Sequence, residues 1–191
     1  MCAGITTFNS IRNQNLRAGD LVVVQGIGGL GHLAIQFSNK LGFKVVALSS
    51  GKEKEKLAKD LGAHVYIDTS SADPVAEIKK LGGANLIACT APHAKAINPL
   101  VDALATGGKL LILAAVMEPL TVNSISMLTN KNSIVGWPSG DSRDSEDTMK
   151  FAQLTGVKAM IETFPLDKAN EAFKHMMENK AKFRVVLVMN P

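Results

Sequence analysis

Leu21-Val22-Val23-Val24-Gln25-Gly26-Ile27-Gly28-Gly29-Leu30-Gly31 is the stretch that decides how the rest of the chain is read. A short apolar run ends in a glycine-rich turn, and an apolar segment with helical spacing, 32–41, follows it. Strand, glycine loop and helix in that order are what a dinucleotide phosphate site requires. Gly26 permits the tight turn, Gly28 lets backbone approach a pyrophosphate, and Gly31 lets helix and strand pack closely. Gly29 and Leu30 complete the loop, and the free N–H groups at the helix start face the phosphates. A lone glycine pattern is a weak signal; this one gains weight from opening the first of several strand-helix units.

Working outward, short apolar runs recur at 45–48, 65–67, 86–88, 110–115 and 134–135, with helically spaced segments at 52–61, 74–81 and 94–104 between them. The runs are apolar at successive positions, not at alternate ones, as in strands covered on both faces. The expectation is an α/β, Rossmann-type doubly wound parallel sheet with helices on both faces. Composition changes after Trp137-Pro138. The stretch 139–146 is polar and acidic, an apolar segment 157–164 follows, and the spacing predicts a helix over 167–179. Asp167 is placed to cap that helix, and Ala169, Ala172, Phe173, Met176 and Met177 form a stripe read as core. A final strand, 183–189, ends the chain. The division expected is a sheet domain, 1–138, and a small C-terminal helix-strand annex, 139–191.

The 191 residues are 46% hydrophobic and 20% charged, enough apolar material for a core and too little charge for disorder. Lysine and arginine number 21 against 17 acids, and the formal +4 is scattered, which argues against a nucleic-acid partner. Two cysteines, Cys2 and Cys89, give no disulfide framework, and the start Met1-Cys2-Ala3-Gly4 lacks the basic and apolar regions of a secretory signal. A reducing, cytoplasmic location is expected. The longest apolar run, 110–117, is far short of the roughly 20 residues of a membrane helix, so no membrane association is expected. His32, His64, His93 and His175 are dispersed without a paired spacing and read as surface or core histidines.

At the end of the second strand, where a carboxylate would accept from the ribose diol of NAD, stand Ser49-Ser50-Gly51-Lys52. Nothing there repels a 2′-phosphate, and the hydroxyls of Ser49 and Ser50 with the ammonium of Lys52 or Lys54 could hold one. NADP is therefore expected in preference to NAD. Each lysine read singly is a solvated charge of a first helical turn, so the serines are the stronger candidates.

Read together, Cys2-Ala3-Gly4-Ile5-Thr6-Thr7, Ala18-Gly19-Asp20, Leu61-Gly62-Ala63-His64, Gly107-Gly108-Lys109 and Phe183-Arg184-Val185-Val186 give the chain a wider likeness. It resembles the medium-chain dehydrogenases of the zinc alcohol dehydrogenase type, cinnamyl alcohol dehydrogenases among them. The resemblance spans nearly the whole chain in order. It implies that Cys2 matches the third protein ligand of a catalytic zinc and that Thr6 packs on the nicotinamide. It implies that Thr90, Leu113, Ala114 and Ala115 line the cofactor groove, that backbone at Trp137 and Pro138 meets the carboxamide, and that Arg184 reaches the pyrophosphate. It also implies an oxidoreductase acting on small primary alcohols and aldehydes, a homodimer paired through the sheet edge with 117–125 at that edge, and an annex belonging to a separate catalytic domain.

The other zinc ligands and the structural zinc loop of that family lie upstream of the matched region. A catalytic zinc needs about three protein ligands, so Cys2 alone is not expected to hold one. Beginning on the ligand cysteine in mid-motif reads as a truncation, and the fragment is expected to bind nucleotide without turning over alcohol. Two alternatives differ in kind: a zinc-free reductase of the quinone oxidoreductase branch, against which Cys2 argues, and a stand-alone dinucleotide-binding sensor module.

Overall fold

The computed structural model describes residues 2–178 and 180–189. Six strands make one sheet: β1 (Leu21–Gln25), β2 (Lys44–Ser49), β3 (Val65–Asp68), β4 (Ala84–Cys89), β5 (Leu104–Ile112) and β6 (Ser133–Gly136). Their order is β3-β2-β1-β4-β5-β6, and every neighbouring pair is parallel. The doubly wound sheet expected from the apolar runs is thus present. All five residues of β1 are buried, which follows from a central strand covered on both faces.

Crossovers run through α2 (Gly31–Lys40), α3 (Glu55–Asp60), α4 (Pro74–Lys80) and α5 (Ala94–Ile97). Strand order reverses between β1 and β4, and the crevice beyond their carboxyl ends is where such sheets bind ligands. The main core joins Val23, Val46, Leu48, Ile87 and Leu110 of the sheet to Ile78, Ile97, Leu100 and Val101. A second cluster packs α1 (Cys2–Arg12), α2 and α7 (Ser142–Thr155) through Phe8, Phe37 and Phe151, with Phe8 and Phe151 stacked at 4.7 Å.

Several expectations need correction. The helix expected over 94–104 stops at Ile97 and continues as a 3-10 turn, Asn98–Ala103, because Pro99 supplies no N–H to an α ladder. Leu104 already belongs to β5, which ends at Ile112, so Leu113 and Ala115 follow the strand. The polar stretch after Pro138 becomes α7, opened by a capping box in which Asp141 and Asp144 satisfy each other's backbone N–H. The segment 117–125 is no sheet edge: the outer strands are β3 and β6, and 117–123 is irregular chain leading into α6 (Ser124–Asn130).

The chain divides into two compact units, Met1–Val157 and Lys158–Pro191. The expected break at 138 falls inside the first, because α7 packs on α1. In the second unit β7 (Ile161–Pro165) and β8 (Arg184–Val188) pair in parallel, and α8 (Ala169–Met177) connects them. Asp167 is not its cap; it sits in a 3-10 turn, Leu166–Lys168, and the N-cap is Lys168 without a side-chain bond. The stripe on α8 is largely exposed, with Phe173 and Met177 above 60% and Ala172 alone buried, since two strands offer little surface for one helix to cover. The expected helix end at Asn179 lies outside the described residues. Among the described residues, no helix is long and apolar enough to cross a membrane.

Candidate dinucleotide site

The glycine loop is built as its spacing requires. Gly26 has φ +94°, and a Cβ there would meet the Ala91 Cβ at 2.9 Å. A Cβ on Gly31 would stand 1.9 Å from the Gly26 carbonyl oxygen, so helix and turn are in contact through bare backbone. A Cβ on Gly28 would meet nothing within 4 Å. Two glycines are thus committed to the turn, and the third faces open space where a phosphate can approach. No side chain caps α2, and since the N–H groups of His32 and Leu33 already donate to the Gly28 and Leu30 carbonyls, an anion would meet the loop N–H groups ahead of them.

The residues around the loop tie it down. Gly26 N–H donates to the Leu48 carbonyl at 3.0 Å, and the Thr90 hydroxyl donates to the carbonyls of Gln25 at 2.9 Å and Gly26 at 3.1 Å. Thr90 therefore fixes the base of the turn, a sharper role than lining a groove. His32 is fully buried, and its Nδ1 lies 2.9 Å from the Gly28 carbonyl; a carbonyl only accepts, so Nδ1 carries the proton. Reading the sequence missed this role, although an i, i+4 relation to a loop glycine was there to be seen. His64 Nδ1 accepts from Val45 N–H at 2.9 Å, and His175 Nε2 pairs with Glu162 at 2.7 Å, so both are structural.

Ser49 ends β2 half-buried, and Ser50 follows it exposed. Lys54 was the weaker candidate by sequence, yet its Nζ donates to the Ile27 carbonyl at 3.2 Å and so reaches back to the glycine loop. Its neighbours Lys56 and Lys59 instead pair along the helix with Asp60 and Glu55. Leu113 N–H bonds the Cys89 carbonyl at 3.1 Å, and Trp137 N–H bonds the Ile112 carbonyl at 3.4 Å. Ser49 at the last position of its strand, and Gly26, Thr90, Leu113 and Trp137 just beyond theirs, thus stand at the carboxyl ends of the strands, along one rim of the sheet.

Cys2 and Thr6 lie one turn apart on α1, with Cys2 exposed, Thr6 buried, and 3.8 Å between Sγ and Oγ1. Among the described residues, no group of three His, Cys, Asp or Glu side chains is placed to hold a metal ion, so this set of residues does not by itself form a zinc site. Burial pushes the Cys89 thiol up to about 12, which makes it an inert core residue. Arg184 opens β8 in the second unit, exposed; its expected role at the pyrophosphate rests on the resemblance alone.

A parallel sheet ordered in this way, with a glycine turn at its switch point, defines a dinucleotide-binding α/β protein. Comparison with known proteins gives the family. The zinc-binding dehydrogenase family matches residues 29–155, and the chain belongs to it. It is 52% identical over 189 residues to alcohol dehydrogenase PatD of Penicillium expansum, covering 99% of this chain and 55% of that protein. An alcohol dehydrogenase of Geobacillus stearothermophilus is 34% identical over 98% of this chain and 56% of its own length. A solved cinnamyl alcohol dehydrogenase from Sorghum bicolor superposes with a TM-score of 0.86 at 28% identity, covering 97% of this chain and 53% of that one. The chain spans about half the length of the curated relatives it matches. Its six-stranded unit is the NAD(P)-binding domain of an alcohol-dehydrogenase-like protein.

Proposed function

We propose that this chain holds a nicotinamide dinucleotide, NADP in preference to NAD, for an oxidoreductase acting on small alcohols and aldehydes. The observation that carries the reading is the division of labour among the loop glycines, with Gly26 and Gly31 in backbone contact and Gly28 open. When bound, the nicotinamide ring supplies the hydride acceptor or donor. Residues of the chain do the rest. N–H groups of the glycine loop at the entrance to α2 meet the pyrophosphate, Thr90 and His32 keep the loop from flexing, and Leu113, Ala115 and Trp137 line the groove toward the ring. Thr6, on α1, packs against the nicotinamide face. Ser49, Ser50 and Lys54 take the 2′-phosphate, since two hydroxyls and an ammonium favour a dianion where a carboxylate would repel it.

Calorimetric titration tests the preference. NADPH binds more tightly than NADH to the unmodified chain, and Ser49→Asp reverses the order; tighter NADH binding before mutation overturns the assignment. Support for a homodimer comes from β6, an outer strand, and from the exposed apolar side chains Met117, Ile125 and Leu128. Sedimentation velocity then returns twice the chain mass, and a monomer at every accessible concentration removes the pairing. A reducing cytoplasmic location fits two cysteines that form no disulfide.

A further inference from the structure

We infer that Tyr66 and Asp68, neither of which belongs to the glycine loop or the serine pair, are positioning residues that set the 2′-phosphate end of the cofactor site by gripping Gly51 from both sides. The inference rests on the dinucleotide reading above and deepens it. Period two along β3 puts Tyr66 and Asp68 on one face of the sheet, and in register Asp68 stands opposite Ser49. The chain leaves the sheet after Ser49, and the turn that follows is held at one residue. Asp68 Oδ1 accepts from Gly51 N–H at 2.8 Å, while the Tyr66 hydroxyl donates to the Gly51 carbonyl at 2.5 Å. Thr69 N–H donates to the Ser49 carbonyl at 3.0 Å.

Two bonds to one residue, one on its N–H and one on its C=O, fix both peptide planes of the turn. A single bond would leave it free to swing about its axis. What that turn carries is the proposed anion site: Ser50 directly before Gly51, and Lys54 three residues after it, its ammonium returned to the Ile27 carbonyl of the glycine loop. The path from β3 to the phosphate loop is therefore continuous through Gly51 and Lys54. Asp68 is itself kept oriented, since Ser70 gives it a backbone N–H at 2.9 Å and a hydroxyl at 2.6 Å. These donors hold its carboxyl down at about 2, so it stays ionised and accepts throughout the ordinary pH range.

A fixed turn matters unequally to the two cofactors. Binding a 2′-phosphate needs several donors converging on one group, and donors held in place lose less freedom on binding. NADH brings only a hydroxyl to the same spot and depends less on the convergence. Loosening Gly51 thus weakens NADPH and leaves NADH nearly as it was. A merely repulsive role for the Asp68 charge predicts the opposite sign, since removing it would then tighten NADPH.

The test measures dissociation constants of the full chain for NADPH and NADH, and for adenosine 2′,5′-bisphosphate against 5′-AMP, which isolate the 2′-phosphate. Three variants are compared: Tyr66→Phe, which keeps the ring and loses the hydroxyl; Asp68→Ala, which removes the acceptor; and Asp68→Asn, whose amide oxygen still accepts from Gly51. Loss of one hydrogen bond lowers the NADPH-to-NADH affinity ratio about five-fold in Tyr66→Phe and more in Asp68→Ala, while Asp68→Asn stays within about two-fold of wild type. Melting temperature, followed alongside, identifies any variant that loses its fold, and Tyr66→Phe then decides the matter. A ratio unchanged in Tyr66→Phe, equal weakening of both nucleotides, or tighter NADPH binding in Asp68→Asn overturns the positioning role alone. An unmodified chain that does not prefer NADPH brings down the cofactor reading, and this inference with it.

Discussion

Gly28 and Gly31 share a residue type, a loop and a motif, and the space around them assigns opposite tasks. A methyl on Gly31 meets the Gly26 carbonyl oxygen at 1.9 Å, backbone against backbone, with no flexible side chain to move aside. Relief requires α2 to shift off the sheet, so Gly31→Ala is expected to destabilise the chain by about 3 kcal/mol, the upper part of the overpacking range. A methyl on Gly28 meets nothing within 4 Å, so the fold tolerates Gly28→Ala, yet the methyl occupies the space through which a phosphate approaches. Denaturant unfolding together with nucleotide titration separates the two. The expected outcome is lost stability for Gly31→Ala, and unchanged stability with weakened binding for Gly28→Ala. Equal stability of both variants would contradict the assignment. The close packing at Gly31 and the open space at Gly28 were legible from spacing because the pattern is a steric one, and sterics follow from which positions lack a Cβ. The parts played by Tyr66 and Asp68 were not legible, because each acts through a hydrogen bond to backbone, and side-chain type does not say which carbonyl or N–H the fold will bring near; His32 left only its i, i+4 spacing to Gly28 as a sign.

Elements were read best where burial alone shapes the pattern. Every sheet strand was foreshadowed by its apolar run, since a strand covered on both faces must be apolar throughout. The helices α1, α6 and α7 were missed. Cys2–Arg12 mixes threonine, asparagine and serine with apolar residues, and eight of its eleven residues are buried, so no polar face advertises it. In α7 the polar start disguises a capping box, and its inward contact relies on charge. Arg12 bonds Asp144 and Asp147, each at 2.8 Å, and its guanidinium lies 4.9 Å from the centre of the Phe8 ring. The backbone N–H of Asp141, with Arg12 itself, holds the Asp144 carboxyl below the usual carboxylate range. Arg12→Ala is expected to cost about 1 to 2 kcal/mol, since the ion pairs are partly exposed while the ring contact adds to them. The loss should shrink in high salt and as pH falls low enough to protonate Asp144, because a lowered folded-state pKa stabilises at neutral pH and that stabilisation is lost on acidification. Urea titrations of wild type and variant at neutral and acidic pH measure it, and a penalty independent of salt and pH would assign the contact to packing instead.

At the scale of the whole molecule, the first unit contains the six-stranded sheet and the glycine loop at its switch point, whereas the metal chemistry of the family calls for more donors than the described residues bring together. A tetrahedral zinc with one position open to substrate takes about three protein ligands. Cys2 is a single exposed thiol at the first turn of α1, 3.8 Å from the Thr6 hydroxyl, and His32, His64 and His175 are occupied by Gly28, Val45 and Glu162. One thiolate must also be ordered before it can bind, at a further entropic cost. Without an electrophile at the alcohol oxygen the alkoxide that gives up hydride lacks several kcal/mol of stabilisation, and without walls around the ring water is not excluded from it. This 191-residue polypeptide is therefore expected to bind NADPH, to hold less than one zinc per chain after dialysis, and to oxidise neither ethanol nor benzyl or cinnamyl alcohol above background with added zinc. Elemental analysis and nicotinamide absorbance read the two quantities independently. Stoichiometric zinc, or turnover at an ordinary enzymatic rate, would mean that a donor set or a metal-free proton donor operates in this chain beyond the residues assigned above.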